Sequence, residues 1–89
     1  MKEKINLATI SILIKNREKN SDYVHEVLRD NSKLVLTRMG MNIQPKCISN
    51  CLGVVTVIVQ GSAKEINDLT KKLNKKSGIS AKLVILEKE

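Results

Sequence analysis

The chain carries one aromatic residue, Tyr23, and neither phenylalanine nor tryptophan. Any hydrophobic core built from it is therefore aliphatic, drawn from isoleucine, leucine and valine. The same scarcity excludes the RNA-binding mode in which rings on a sheet stack bases, because the β-rich stretches hold no ring at all.

Histidine and cysteine are also sparse: His25 stands alone, and Cys47 and Cys51 are the only thiols. Structural zinc takes four nitrogen or sulfur ligands, usually with more tightly spaced cysteine pairs. Cys47-Ile-Ser-Asn-Cys51 and a distant His25 make a poor set, so no metal and no cofactor is expected. Read as extended chain at roughly 3.3 Å per residue, the segment holds its sulfurs too far apart to bond. Two unconnected thiols, reduced as in a cytosolic protein, are the expectation.

The sequence has no Ser-His-Asp or Cys-His arrangement, no glycine-rich phosphate loop and no paired catalytic carboxylates. The chain is read as not an enzyme. No run approaches the roughly 18 to 20 apolar residues of a membrane span. The short basic start from Lys2 to Lys4, followed by Ile5 to Ile14 with Asn, Thr and Ser interspersed, does not read as a secretory leader. A cytoplasmic protein without a membrane partner is expected.

What is present fits one small fold. Eighty-nine residues suffice for one core, so 1–89 is read as a single domain. Ile5 to Lys15 is rich in β-branched residues, with Ala8, Ile10, Ile12 and Ile14 on one face, and reads as a strand. Asn16 to Asn20 reads as a connection, with Asn20 or Ser21 capping a helix that carries Val24, Val27 and Leu28 to about Asn31. Leu34 to Met39 reads as a second strand. Gly40 to Asn50 then follows as its end and a connection, marked by the only proline, Pro45.

Leu52 to Val59 is apolar on both faces and reads as a third strand. Ser62-Ala-Lys-Glu65 is a capping box, opening a helix whose stripe is Ile66, Leu69, Thr70 and Leu73. Gly78 reads as a left-handed C′ residue, and Ala81, Leu83 and Ile85, alternating with Lys82, Val84 and Leu86, as a last strand. The order is that of an α+β, ferredoxin-like βαββαβ sandwich: a four-stranded antiparallel sheet with two helices on one face. Helices cover only one side, yet strands one and three are apolar on both. The other side is therefore expected to bury itself against further copies, as a homodimer or tetramer through the sheet.

Arg38-Met-Gly-Met-Asn42, Gly53-Val-Val-Thr-Val-Ile-Val59 with Gly61 after it, and Ile66 to Lys82 ending Lys-Lys-Ser-Gly-Ile-Ser-Ala-Lys together resemble a family of small ACT-like proteins. These are the proteins proposed as regulators of the iron-only hydrogenase system. The resemblance spans nearly the whole chain. It implies an ACT-like domain that oligomerises through its sheet, a regulatory role, and distant kinship with the effector domain of nickel-responsive regulators. Two features depart from such relatives. Amino-acid-binding ACT domains usually place a glycine between strand one and helix one, whereas this loop is Asn16-Arg-Glu-Lys-Asn-Ser21. The DNA-binding arm and histidine cluster of nickel-responsive regulators are likewise missing.

Arg38 and Gly40 are the candidate ligand-binding residues, a guanidinium beside open backbone that suits a carboxylate or phosphate. His25 on the first helix reads as a solvated residue, as do Asp22, Glu26 and Asp30 at four-residue spacing. Lys71, Lys72, Lys75 and Lys76 gather where the negative end of the helix dipole favours them. The leading reading is a regulatory and oligomerisation module that senses a small effector or modulates a protein partner. Its rivals are a nucleic-acid-binding regulator and a metal sensor through Cys47 and Cys51.

A formal net charge of +7 attracts anionic polymers, but no recognition helix or basic zipper accompanies it. DNA titrated at near-physiological salt should bind only at about micromolar affinity or weaker, falling steeply with salt and alike for unrelated duplexes. A nanomolar complex lost on scrambling one site would contradict this.

Overall fold

A computed structural model describes residues 5–42 and 51–87. Its elements run β1 (Asn6–Ile14), α1 (Arg17–Asp30), β2 (Val35–Asn42), β3 (Gly53–Gly61), α2 (Ala63–Asn74) and β4 (Ile79–Glu87). The strands form one sheet in the order β2-β3-β1-β4, and all three pairings are antiparallel. This is the expected ferredoxin-like topology: each βαβ crossover skips a place in the sheet that a strand of the other half fills.

The register fixes which side chains share a face. Ala8, Ile10 and Ile12 lie opposite Val59, Val57 and Val55 on β3, and opposite Ile85, Leu83 and Ala81 on β4. With Val24, Val27 and Leu28 of α1 and Ile66, Leu69 and Leu73 of α2, the β1 and β3 residues and Ala81 make the buried core, which is aliphatic throughout; Leu83 packs against it partly buried, and Ile85 lies exposed beyond it. Each such side chain fully withdrawn from water contributes about 1.5–3 kcal/mol. Tyr23, half-buried, packs against this core. Its hydroxyl donates to the Lys72 carbonyl of α2 at 2.6 Å, and Lys76 Nζ sits 5.6 Å above the ring.

α1 begins earlier than expected. Its N-cap is Asn16 at φ 50°, without a side-chain cap, and the amides of Lys19 and Asn20 reach the Asn16 carbonyl at 3.0 and 3.1 Å. Asparagine tolerates the left-handed conformation, so a backbone device replaces the side-chain cap sought at Asn20 or Ser21. Asn20 is instead buried inside the helix, its Nδ2 donating to the Lys15 carbonyl at 2.6 Å. Ser21 Oγ donates back to the Arg17 carbonyl.

β2 and β3 each reach beyond their expected ends, because antiparallel pairing carries Gly40, Asn42 and Gly61 into the ladder despite their weak strand preference. Around Leu36 the β2 register shifts.

The capping box at α2 is present in full: Glu65 N donates to Ser62 Oγ at 3.2 Å and Ser62 N to Glu65 Oε1 at 3.0 Å. At the other end Asn74 behaves as an extra strand residue. Its Nδ2 donates to the Ala81 carbonyl at 2.9 Å and its Oδ1 accepts from Ala81 N at 2.7 Å, fastening α2 to β4. Gly78 has the expected positive φ, 91°, but lies beyond C′, since the C-cap is Lys75. The turn that follows the helix needs it, and a Cβ there would stand 2.7 Å from Asn20 Nδ2.

Two outcomes follow from these ends. Hydrogen bonds from the Ser62 amide and hydroxyl region hold the Glu65 carboxyl below the usual carboxylate range. A folded-state value below the unfolded one gives stability present above the ordinary carboxylate range and lost as pH falls through the folded value. Ser62→Ala should cost about 1 kcal/mol in denaturant unfolding at neutral pH, with the gap to wild type narrowing in acid. Gly78→Ala, which meets both the positive φ and the Asn20 amide, should lower stability by more than about 1 kcal/mol in the same assay. An unchanged unfolding midpoint would contradict that assignment.

Candidate functional site

Arg38 and Gly40 are paired across β2–β3 with Val57 and Val55, so both sit on the helix-bearing side of the sheet. β2 is an edge strand, and α1 leaves a groove between itself and that edge. Two open pockets lie along it. One, of about 300 Å³, is lined by Ile14, Arg17, Ser21, His25, Gly40 and Gly53 together with Val54 and Val55. The other, of about 480 Å³, is lined by His25, Leu28, Arg29, Ser32, Val35, Thr37 and Arg38. His25 belongs to both. The two candidate residues are thus divided between neighbouring pockets and joined through a histidine expected to be merely solvated.

His25 is exposed, yet its Nδ1 is 3.3 Å from Arg38 Nη1. A guanidinium has only donors, so the imidazole nitrogen accepts.

Arg17 anchors the far end. Its amide donates to the Cys51 carbonyl at 2.9 Å and its Nη1 to the Leu52 carbonyl at 3.1 Å, tying the first turn of α1 to the start of β3. Gly40 leaves the floor bare. A Cβ there would meet Val55 Cγ2 at 3.8 Å, an ordinary contact, so packing does not demand the glycine and its missing side chain adds depth.

Sequence reasoning missed Arg17, Ser21 and Arg29. The signal was present, because Arg17, Ser21, His25 and Arg29 recur at four-residue spacing and therefore form one ridge of the helix. A second ridge, Glu18, Asp22, Glu26 and Asp30, is displaced by one residue and is exposed throughout. The acidic ridge drew attention and the basic one lines the groove. Among the described residues, no carboxylate forms an ion pair with Arg17, Arg29 or Arg38.

Cys51 corrects an expectation. It is buried and disulfide-bonded, whereas two unconnected thiols were expected from an extended reading of residues 47–51. The bond withdraws the thiolate that a metal site at Cys51 requires. Cys47, like Pro45, lies outside the described residues. Lys71, Lys72 and Lys75 are exposed at the end of α2, as the dipole argument expects, and no helix is long and apolar enough to cross a membrane among the described residues.

Comparison with solved structures finds the uncharacterized protein TM1266 from Thermotoga maritima, with a TM-score of 0.82 and 24% identity over 93% of this chain and 99% of that one. That likeness concerns the fold. The C-terminal domain LarC2 of a cyclometallase involved in synthesis of the NPN cofactor of lactate racemase also matches, with a TM-score of 0.45 and 14% identity over 90% of this chain and 56% of that one. No curated protein matches the chain in sequence. The family model described as "TM1266-like: Iron-only hydrogenase system regulator, putative" matches residues 6–83. With that span covering most of the sequence and the fold agreeing, the chain belongs to the TM1266-like family.

Proposed function

We propose that this chain is a cytoplasmic, non-enzymatic regulatory module of an iron-only hydrogenase system, one compact unit over 1–89, working as a homo-oligomer that binds a small effector. The family description supports the regulatory part. The open face of the sheet is the observation that supports self-association.

That face presents Leu7, Thr9, Ser11 and Leu13 from β1 and Val54, Thr56, Ile58 and Gln60 from β3, flanked by Met39 and Val84 on the edge strands. Met39 is 68% and Val84 55% exposed. Among the described residues neither helix packs on this side, and aliphatic and hydroxyl side chains dominate it. A chain of net charge +7 repels its own copies over most of its surface. The middle strands of this face are uncharged, so two copies can approach there, and a two-fold pairing of sheet on sheet would cover the aliphatic residues of both. The groove lies on the opposite side of the sheet, leaving it free for an effector while the open face holds a second copy.

The reading predicts a particle of at least twice 10.0 kDa by light scattering at about micromolar concentration. Ile58→Glu, which places a charge at the centre of the face, should dissociate it with the helical signal retained. A wild-type monomer would overturn the assembly. In cells, deletion of the gene should alter hydrogenase activity, restored by the wild-type gene but not by the Ile58→Glu form; unchanged activity on deletion would overturn the regulatory assignment.

A further inference from the structure

We propose that the groove between α1 and β2 is a binding site for a small anion carrying a sulfate-like, phosphate or carboxylate head, and that the Arg38–His25 pair is its latch. This rests on the reading of the chain as an effector-binding module and names the chemistry of the effector.

The groove gathers positive charge without balancing it. Its lining contains Arg17 and Arg29 from α1 and Arg38 from β2, with His25 between them. Among the described residues, the other elements facing it contribute no titratable group: β1 supplies Ile14, and β3 supplies Gly53, Val54 and Val55. Guanidiniums pair with planar oxyanions through two parallel hydrogen bonds. Arg17 spends one nitrogen on the Leu52 carbonyl and is thereby held in place with donors left over. Ser21, Ser32 and Thr37 add hydroxyls around the same space. Leu28 and Val35 give the larger pocket an apolar wall, so an anion with a short apolar body fits better than a bare ion. The pocket sizes are those of small-molecule sites.

The latch follows from donor and acceptor roles. Arg38 donates to His25 Nδ1 in this geometry, a contact that requires the lone pair on that nitrogen. When the ring takes a second proton, Nδ1 becomes a donor and repels the guanidinium. Arg38 is then released toward the groove, and the imidazolium adds a further positive charge beside it. Anion binding and His25 protonation therefore favour one another, and linkage requires the anion to bind more tightly at lower pH.

Sulfate is the probe, because its charge is constant across the range in which histidines titrate. Its binding to the full chain, followed by side-chain NMR of the His25 ring and the arginine Nε–H groups, should be saturable against chloride at equal ionic strength. Affinity should be several-fold greater at pH about 5.5 than at about 8. Arg38→Ala and Arg29→Ala should each weaken it by about tenfold. Lys71→Ala and Lys75→Ala, which remove the same charge from the end of α2, should leave it unchanged. His25→Asn keeps an acceptor for Arg38 but takes up no proton, and should bind sulfate with no pH dependence of this kind. Equal losses in the lysine and arginine variants, or no preference over chloride, would overturn the site. Saturable binding that is the same at both pH values would overturn the latch. Ile58→Glu should bind sulfate like wild type, so failure of the assembly and failure of the groove are separate results.

Discussion

β1 pairs along its length with β3 on one side and β4 on the other, while its alternate residues Ala8, Ile10, Ile12 and Ile14 are sealed beneath the helices. The placement of everything else depends on that double commitment. With β1 and β3 in the middle, β2 and β4 become edges, and the two helices, drawn to the same aliphatic stripe, cannot cover both edges fully. The groove beside β2 is the space that this shortage of cover leaves. Its charge comes from α1, whose apolar residues Val24, Val27 and Leu28 face the stripe and so turn the adjoining ridge of Arg17, His25 and Arg29 toward β2.

Most of the fold was legible because it rests on local rules. Period-two alternation marked β1, apolar residues on both faces marked β3, and the reciprocal Ser62–Glu65 box marked the start of α2 within one residue. The start of α1 was not legible. Asn16 stops the strand and opens the helix through its own left-handed backbone, and no side-chain pattern announces such a device. The bond at Cys51 was not legible either, because sequence spacing alone does not say which sulfurs meet.

The site was legible only in part. Arg38 and Gly40 stood out as a charge and a bare backbone at a strand end. Their relation to His25 is set by the packing of α1 against the sheet, which residue spacing does not encode. Arg17 and Arg29 were readable in principle as one four-residue ridge. Choosing between that ridge and the acidic one beside it requires knowing which way the helix is rolled, and Val24, Val27 and Leu28 decide it.

The scarcity of aromatic residues has a practical side. Tyr23 is the chain's whole ultraviolet fluorophore, and its hydroxyl is bound to a backbone carbonyl of α2 with an ammonium above its ring. Its emission is therefore a private channel on one event, the seating of α1 against α2. Because the groove shares α1, a molecule that shifts this helix writes its arrival into that signal without any label attached.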